Sequence, residues 1–427
     1  MKPEAGQPQP PPPPRLTRRD ALKLGLAGLA CCATGLWPGC GRPEARADWG
    51  GDDAIPDPQA WELWRRRGWL HEARHWRREG RTAYCELCPN GCVLDPGDRG
   101  RCRTRVNHEG ILYTLAYANP CSLHVDPVEK KPLFHFLPGS RSFSLATAGC
   151  VLRCLNCQNW EISQRTPEAT KDAQGPELRL RPPLPARLSY ADTARLSLFP
   201  EDVPAVAQAL DCASVACTYS EPIAFYEYTL DIAKACRAAG VKTILVTSAH
   251  VRERPLRELA AHLDAAHLDL KGFNDETYRK LNGGRLQPVL DAITLLKQLG
   301  VWTEVVNLVV PRHTDKREEI RRLCAWLAEH AGPDTPLHFS RCLPAYKLTN
   351  LPPTPLETLL QAREDARAAG LRHVYLGNVR GVADAETTFC PACHRPVVER
   401  DIFAVTRLDL TRGRCNHCGA PLPGVWQ

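Results

Sequence analysis

One unit recurs along the chain from residue 143 onward: a helical pattern ends in glycine, and an apolar run rich in branched residues follows within a few residues. The clearest copy is Pro222–Ala239, then Gly240, then Val241–Thr247. A glycine just past a helix supplies the left-handed residue at which the helix stops. Apolar strands that alternate with helices belong to a parallel sheet covered on both faces.

Three more copies keep the order helix, glycine, strand: Pro288–Leu299, Gly300 and Val301–Val310; Glu318–Ala331, Gly332 and Leu337–Cys342; Pro355–Ala369, Gly370 and Leu371–Leu376. Three further apolar runs have the length of strands: Phe143–Ala148, Ala213–Thr218 and Ala266–Leu270. Together these make six or seven βα units, which predicts an α/β fold with a full or partial parallel βα barrel.

Three cysteines follow the first of these strands with the spacing CxxxCxxC: Cys150, Cys154 and Cys157. Three thiolates can hold three irons of a cubane iron–sulfur cluster and leave the fourth iron open for another ligand. A structural site would close its shell with a fourth protein ligand, as zinc sites do. The spacing therefore favours catalytic metal chemistry, and a zinc knuckle that borrows a distant ligand is the alternative.

Polar residues stand at the ends of the following strands, which is where ligands bind in parallel α/β folds. Glu221 follows the second strand, Ser248 the third, and Asp269 and Lys271 the fourth. The alternation of side chains along a strand sends Asp269 and Lys271 to the same side. We expect these residues to bind a cofactor at the edge that also holds the three cysteines.

Two more cysteine groups flank the barrel. At the C-terminal end, Cys390, Cys393, Cys415 and Cys418 form two CxxC pairs around the strand-like run 396–410, which is typical of a zinc ribbon. At the N-terminal end, four cysteines fall within 18 residues: Cys85, Cys88, Cys92 and Cys102. Spacing alone leaves open whether this second group holds zinc or an auxiliary cluster.

The bulk composition narrows the function classes. The chain has 427 residues, 20 cysteines and a net charge of +7. Cysteines gathered in three tight groups favour metal ligation over a dispersed disulfide framework. The mildly basic balance is weak evidence for nucleic acid, since no run of aromatic residues interleaved with basic ones supports it.

The first 47 residues have the features of a targeting segment. Paired arginines within Thr17–Lys23, an apolar stretch Leu24–Trp37 and an Ala-x-Ala site at 45–47 predict a twin-arginine export signal. The protein would then be periplasmic or membrane-associated. Lipidation at Cys40 and a disordered tail on a cytoplasmic protein are the alternatives.

We therefore divide the chain into four parts. Residues 1–47 are the signal, 56–140 a Cys-rich N-terminal module, 141–380 the barrel with a variable insertion at 165–200, and 385–427 a zinc-ribbon-like module. Within the N-terminal module we expect a helical lead-in over 56–80 and strand-like pieces at Ile111–Tyr117 and Leu133–Leu137.

Several of these strings resemble a known family. The CxxxCxxC motif, Thr218-Tyr219-Ser220-Glu221-Pro222 and Asp269-Leu270-Lys271 resemble radical SAM enzymes near the glycyl-radical-activase branch. The resemblance is closer still to the AmmeMemoRadiSam-system radical SAM group and covers about residues 60–427, with gaps at 165–200. The strings that carry this closer resemblance are residues 85–89, 126–133, 135–139, 157–160, 344–347, 352–355 and 375–378.

The resemblance implies a 4Fe–4S cluster on Cys150, Cys154 and Cys157, whose open iron chelates S-adenosylmethionine. One-electron reduction would release a 5′-deoxyadenosyl radical that abstracts hydrogen from a substrate. By the same resemblance Glu221 would lie near the methionine ammonium, and Asp269 and Lys271 near ribose, carboxylate or substrate.

Two positions depart from the family pattern. Asn156 stands where relatives usually have an aromatic residue, and Ser248-Ala249 stands where they commonly have Asn-Gly. These departures concern the contacts to adenine and ribose. An electron donor is implied, and Memo-type and AMMECR-type proteins are candidate partners by association. The alternatives are a glycyl-radical-enzyme activase, a non-catalytic zinc-ribbon binding protein on a barrel scaffold and a non-catalytic electron carrier.

Overall fold

The computed structural model of the protein describes residues 56–185 and 190–427. The predicted export signal at residues 1–47 lies outside the described residues. None of the helices within the described ranges is long and apolar enough to cross a membrane.

The N-terminal module begins with helix α1, Pro58–Arg66, which Asp57 caps by accepting hydrogen bonds from two backbone amides. The prediction of a helical lead-in over 56–80 is wrong beyond Arg66, because Gly68 takes a left-handed conformation (φ +66°) that stops the helix. The chain then forms two antiparallel three-stranded sheets, in the orders β1-β6-β5 and β2-β3-β4. Their strands are β1 His71–Glu72, β2 Trp76–Glu79, β3 Thr82–Cys85, β4 Val93–Leu94, β5 Arg105–His108 and β6 Ile111–Thr114.

An eight-stranded sheet forms the centre of the fold, and the predicted α/β architecture with mostly parallel strands is confirmed. Seven strands are parallel, and the edge strand β7 runs antiparallel to β8. The strands of this sheet are β7 Ser122–Pro127, β8 Arg141–Ala146, β11 Ser214–Cys217, β12 Lys242–Thr247, β13 Ala265–Asp269, β14 Trp302–Val309, β15 Leu337–Arg341 and β16 Val374–Gly377. In space the order is β16-β15-β14-β13-β12-β11-β8-β7.

Helices alternate with these strands as the sequence pattern predicts. The helices after α1 are α2 Trp160–Ser163, α3 Tyr190–Arg195, α4 Val203–Ala209, α5 Tyr226–Ala238, α6 Glu253–Ala260, α7 Asp275–Thr277, α8 Gln287–Gln298, α9 Arg317–His330 and α10 Leu356–Ala368. The four predicted stop glycines all have positive φ: Gly240, Gly300, Gly332 and Gly370. Between β8 and β11 two short parallel strands pair, β9 Leu178–Arg179 and β10 Leu196–Ser197.

The segment after β7 lies across the central sheet. The backbone amides of Phe134 and His135 donate to the buried carboxylate of Glu304 on β14, at 3.0 and 2.8 Å. The carbonyl of Lys131 lies 2.8 Å from Nδ1 of His267 on β13. The expected strand at Leu133–Leu137 is reduced to one parallel β-bridge between Phe136 and Val425, because a glutamate side chain takes the hydrogen bonds of the two preceding amides.

A small C-terminal module completes the fold. Its strands are β17 Thr388–Phe389, β18 Pro396–Asp401, β19 Ala404–Leu408, β20 Leu410–Thr411 and β21 Arg414–Cys415. The predicted hairpin is β18 and β19, which pair antiparallel. Arg400 of β18 is buried and donates to the carbonyl of Phe134 at 2.6 Å, which joins this module to the segment on the central sheet.

Candidate active site at the carboxyl edge of the sheet

The loop that carries the three cysteines begins directly after β8. Gly149 has φ +97°, and a Cβ atom built on it would lie 2.6 Å from the carbonyl oxygen of Cys102 and 2.5 Å from Thr104 Cγ2. Glycine is therefore required there both for its conformation and for the close approach of two backbone segments. The next residue, Cys150, donates its amide to the Cys102 carbonyl at 3.2 Å.

Each of the three cysteine sulfurs accepts or shares a hydrogen bond. Cys150 Sγ accepts from the amide of Leu152 at 3.3 Å, and Cys154 Sγ accepts from Nδ2 of Asn282, also at 3.3 Å. Cys157 Sγ lies 3.1 Å from Ser163 Oγ on α2. Donors of this kind stabilise thiolates and tune a bound iron–sulfur group.

The shifts in the thiol pKa values indicate that Cys150 lies near Glu221 and that Cys154 lies near Lys271. Burial raises the pKa of the Cys150 thiol, and the nearby charge of Glu221 raises it further. Burial also raises the pKa of the Cys154 thiol, whereas the ammonium of Lys271 acts in the opposite direction. Three soft sulfur donors, with a cation and hydrogen-bond donors beside them, fit an iron–sulfur group that needs deprotonated cysteines.

Glu221 is buried between the ends of β11 and β12. Its Oε1 accepts from Thr247 Oγ1 at 2.6 Å, and its Oε2 accepts from the amide of Ser248 at 2.9 Å. Ser248 Oγ and the amide of Ile223 also donate to this carboxylate. Burial raises the pKa of Glu221, and these donors oppose that effect. The carboxylate is thus held rigidly by the protein, and Ser248 contributes as one of its donors.

Asp269 and Lys271 form an ion pair at the end of β13, with Nζ and Oδ2 2.8 Å apart. The expectation that both side chains project to the same side is confirmed. Burial raises the pKa of Asp269, but Lys271 and His267 outweigh it, so that the pKa falls well below the ordinary value. The pair therefore stays charged, and its cation lies near enough to Cys154 to oppose the rise of that thiol's pKa.

Sequence reasoning missed Asn282, Ser163 and His267. His267 precedes Asp269 by two residues on the same strand and lies 3.1 Å from its Oδ1, so the alternation of the strand carried a signal. Asn282 lies in a π-helical turn, Tyr278–Asn282, and its approach to Cys154 depends on tertiary packing. No local pattern marks Asn282 or Ser163.

The departure at Asn156 has a structural counterpart. Asn156 is buried and its side chain interacts with the Cys342 thiol, while its Oδ1 has no hydrogen-bond partner among the described residues. Two aromatic rings nevertheless lie near the loop that carries Cys157: Trp160 follows it in the sequence and stacks on Tyr346, with centroids 5.4 Å apart.

The four N-terminal cysteines also converge. Cys85, Cys92 and Cys102 each act electrostatically on Cys88, whose thiol pKa is raised first by burial and then by these neighbours. Arg105 Nη1 donates to Cys85 Sγ at 3.3 Å. Thr104 Oγ1 lies 3.1 Å from Cys102 Sγ and donates to the carbonyl of Ala224 at 2.6 Å. Cys85, Cys92 and Cys102 therefore all lie near enough to Cys88 to affect its thiol.

The four C-terminal cysteines form a tighter group, whose sulfur atoms all lie within 4.8 Å of one another. Cys390 and Cys418 are 3.6 Å apart and Cys393 and Cys415 are 3.8 Å apart. A tetrahedral ion with metal–sulfur bonds of about 2.3 Å would give sulfur–sulfur distances of about 3.8 Å. This group could therefore hold one metal ion.

Comparisons with known proteins agree with this geometry. The sequence profile of the radical SAM superfamily matches residues 144–324, which include the three cysteines, Glu221 and the Asp269–Lys271 pair. The pyruvate formate-lyase-activating enzyme of Clostridium pasteurianum is 26% identical over 177 residues, 41% of this chain and 64% of that enzyme. The fold and the site thus define a radical SAM enzyme.

A longer match comes from an uncharacterized protein of Methanocaldococcus jannaschii, which is 40% identical over 337 residues, 78% of this chain and 93% of that protein. The chain belongs to the same family as that protein, within the radical SAM superfamily. Among solved structures, SuiB of Streptococcus suis bound to S-adenosylmethionine aligns with a TM-score of 0.40 at 14% identity, over 59% of this chain and 53% of that one. That likeness is too distant to bear on function.

Proposed function

We propose that the protein cleaves S-adenosylmethionine reductively at a 4Fe–4S cluster bound by Cys150, Cys154 and Cys157, and abstracts hydrogen from a substrate. The observation that carries this proposal is the convergence of three hydrogen-bonded thiols with the charged pair Asp269–Lys271 at one edge of a parallel sheet. When bound, the cluster and S-adenosylmethionine supply a 5′-deoxyadenosyl radical.

The residues of the chain have distinct tasks in this scheme. Asn282 and Ser163 orient and stabilise two of the thiolates. Glu221 offers a fixed negative charge to the ammonium of the methionine moiety, since four donors hold it in place. Asp269 and Lys271 offer a matched anion and cation to ribose, carboxylate or substrate.

The narrower assignment, which we also propose, is the AmmeMemoRadiSam-system group. It is supported by the strings at 126–133, 135–139 and 375–378. In the structure these strings contact one another: His135 Nε2 lies 2.7 Å from the Tyr375 hydroxyl, and the amide of Gly139 donates to Glu129 at 2.8 Å. Memo-type and AMMECR-type proteins are then the proposed functional partners, together with an electron donor.

Activation of a glycyl-radical enzyme is the second candidate. Several activating enzymes of pyruvate formate-lyase match this chain at 26% identity, and the match covers less than two thirds of the enzyme from Clostridium pasteurianum. In that case the hydrogen would come from the backbone of a partner protein. Incubation with a glycyl-radical enzyme, followed by detection of a glycyl radical signal, tests this candidate.

The proposed radical chemistry is tested by anaerobic reconstitution. We expect an electron paramagnetic resonance signal that changes when S-adenosylmethionine is added, and formation of 5′-deoxyadenosine with a reductant. The triple variant Cys150→Ala/Cys154→Ala/Cys157→Ala is expected to lose the response to S-adenosylmethionine and the formation of 5′-deoxyadenosine. A wild-type protein that contains zinc alone and forms no 5′-deoxyadenosine would refute the proposal and favour the zinc-ribbon binding protein.

Replacing Asn282 tests the fit of the cluster more finely. We expect Asn282→Leu to keep the iron but to lower the reduction potential of the cluster, because Cys154 loses its hydrogen-bond donor. A redox titration followed by electron paramagnetic resonance measures this. An unchanged potential would mean that Asn282 does not act on the cluster.

For the C-terminal group we propose a structural zinc ion. Cys393→Ala is expected to lower the zinc content by about one ion per chain and to lower the melting temperature. The matched control is His417→Ala, since His417 lies between Cys415 and Cys418 but its Nε2 is directed to Asp409 at 3.2 Å. Equal zinc content in Cys393→Ala and the wild type would contradict the assignment.

We further propose that the protein is exported by the twin-arginine route. The support is the sequence of residues 1–47, and the route carries folded proteins, which suits a chain that holds metal groups. Replacement of Arg18 and Arg19 with lysine should retain the protein in the cytoplasm, whereas an unchanged distribution in cell fractions would favour the cytoplasmic alternative.

A further inference from the structure

We propose that Cys85, Cys88, Cys92 and Cys102 bind a second, redox-active iron–sulfur cluster that passes single electrons to the cluster at Cys150. This inference rests on the proposed function, because it needs an electron acceptor at the carboxyl edge of the sheet. Of the two alternatives for this group, zinc and an auxiliary cluster, we thus propose the cluster.

The first observation is a hydrogen bond between ligands of the two groups. The amide of Cys150 donates to the carbonyl of Cys102 at 3.2 Å. The route from one thiol to the other therefore runs through two cysteine residues and a single hydrogen bond, about 14 Å at full extension. A path this short and continuous suits electron transfer, which a closed-shell zinc ion cannot perform.

The second observation is that neighbouring residues hold the contact between Cys150 and Cys102 in place. Gly149 permits the approach, since any Cβ there would meet the Cys102 carbonyl at 2.6 Å. Asn90, between Cys88 and Cys92, donates its Nδ2 to the carbonyl of Val151 at 2.8 Å. The loops of the two cysteine groups are thus hydrogen-bonded to each other on both sides of Cys150.

Arginines extend this connection. Arg101 Nη2 donates to the carbonyl of Gly283 at 2.7 Å, and Arg153 donates to the carbonyl of Arg101. The amide of Arg153 donates in turn to the carbonyl of Asn282, the residue whose side chain donates to Cys154. A change in the loop between Cys92 and Cys102 would therefore affect the ligands of the catalytic cluster through short hydrogen-bonded links.

The third observation concerns the sulfur atoms of the N-terminal group. Arg105 Nη1 donates to Cys85 at 3.3 Å, and the amide of Arg101 donates to Cys92 at 3.5 Å. Hydrogen bonds to cysteine sulfur are one of the factors that set the potential of an iron–sulfur cluster. Two of the four ligands thus have donors that would tune a redox centre.

The group also has a side from which electrons can enter. Cys88 is buried, whereas Cys92 is half-buried and precedes Val93, which is 51% exposed. The nearby strand β2 carries charges of both signs, since Arg77 forms ion pairs with Glu79 and Glu86. The relay needs a one-electron carrier, such as a protein of the ferredoxin or flavodoxin class.

The electron step balances without a proton. The reduced carrier loses one electron to the N-terminal cluster, and the same electron passes to the site at Cys150. No bond forms or breaks in the relay, and the N-terminal cluster returns to its oxidised state. The bond cleavage takes place at the catalytic cluster alone.

Metal content and spectroscopy test the inference on the full chain, prepared without oxygen. The triple variant Cys150→Ala/Cys154→Ala/Cys157→Ala should keep about four irons per chain and a reducible signal that does not respond to S-adenosylmethionine. Cys85→Ala/Cys88→Ala should also keep about four irons, with a signal that does respond. A triple variant without iron, carrying zinc at the N-terminal group, overturns the inference.

The relay has its own readout. Cys85→Ala/Cys88→Ala should lose at least tenfold in 5′-deoxyadenosine formation with reduced flavodoxin, yet keep the rate obtained with dithionite. Equal loss with both reductants would indicate a structural role and contradict the relay. A wild type that binds about eight irons but never responds to S-adenosylmethionine would refute the proposed function and leave the second cluster standing.

Discussion

Replacing Gly149 with alanine is expected to abolish iron binding at Cys150, Cys154 and Cys157 and to lower the free energy of unfolding by about 2–5 kcal/mol. A left-handed conformation costs a residue with a Cβ atom about 1–2 kcal/mol. The new atom would also meet the Cys102 carbonyl at 2.6 Å, and backbone cannot rotate away as a side chain can. Iron content, and unfolding by urea, measure the two effects.

Gly240→Ala is the matched control. Gly240 has φ +69°, yet a Cβ atom there would have no neighbour within 4 Å in the part of the chain that the structure describes. It should therefore cost only the conformational part, about 1–2 kcal/mol, and leave the iron content unchanged. Adding Thr104→Ser to Gly149→Ala should recover only part of the stability, since it removes Cγ2 but leaves the carbonyl contact. Equal losses in the two glycine variants would show that the close approach does not matter.

The second large effect is expected for the buried ion pair between Arg105 on β5 and Glu227 on α5. Both side chains are almost fully buried, and Glu227 also accepts the amide of Arg74 at 2.7 Å. Burial lowers the pKa of Arg105, but Glu227 and Cys85 outweigh it, so the guanidinium stays charged. Glu227→Gln leaves that charge unpaired and should cost about 3–5 kcal/mol.

The midpoint of urea unfolding measures this cost, and limited proteolysis should show cleavage within residues 71–108 first, because the pair joins the N-terminal module to α5. The exposed pair Glu276–Lys280 supplies the control: Glu276→Gln should leave the midpoint unchanged, since water screens that pair. A loss in Glu227→Gln no larger than in the control would mean that the N-terminal module is held by other contacts.

Much of the central fold could be predicted because it depends on local signals. The run Val241–Thr247 became β12 at Lys242–Thr247, and Pro288–Leu299 became α8 at Gln287–Gln298. Glycines that end helices and apolar runs of strand length fix such elements within a few residues. The same rhythm placed Glu221 and the Asp269–Lys271 pair at strand ends, where the structure has them.

The errors have a common physical cause. The helical lead-in was overextended because Trp and Arg residues at 61–78 suit a helix, whereas Gly68 ends it and Trp76–Glu79 pairs with Thr82–Cys85. The run Leu133–Leu137 has strand composition but binds the Glu304 carboxylate. Contacts such as Asn282 to Cys154 join residues 128 positions apart and leave no local trace. Tertiary partners decided each of these cases.

The segment that follows β7 has a consequence for folding kinetics. His135 Nδ1 lies 2.7 Å from the carbonyl of Pro423, 288 positions later, and Arg400 reaches Phe134 across 266 positions. Pairings between such distant parts of a chain slow folding, because loop-closure entropy is lost before the contacts form. We expect slow refolding through intermediates with exposed apolar surface. We also expect aggregation whenever docking of the last 40 or so residues onto the central sheet is delayed.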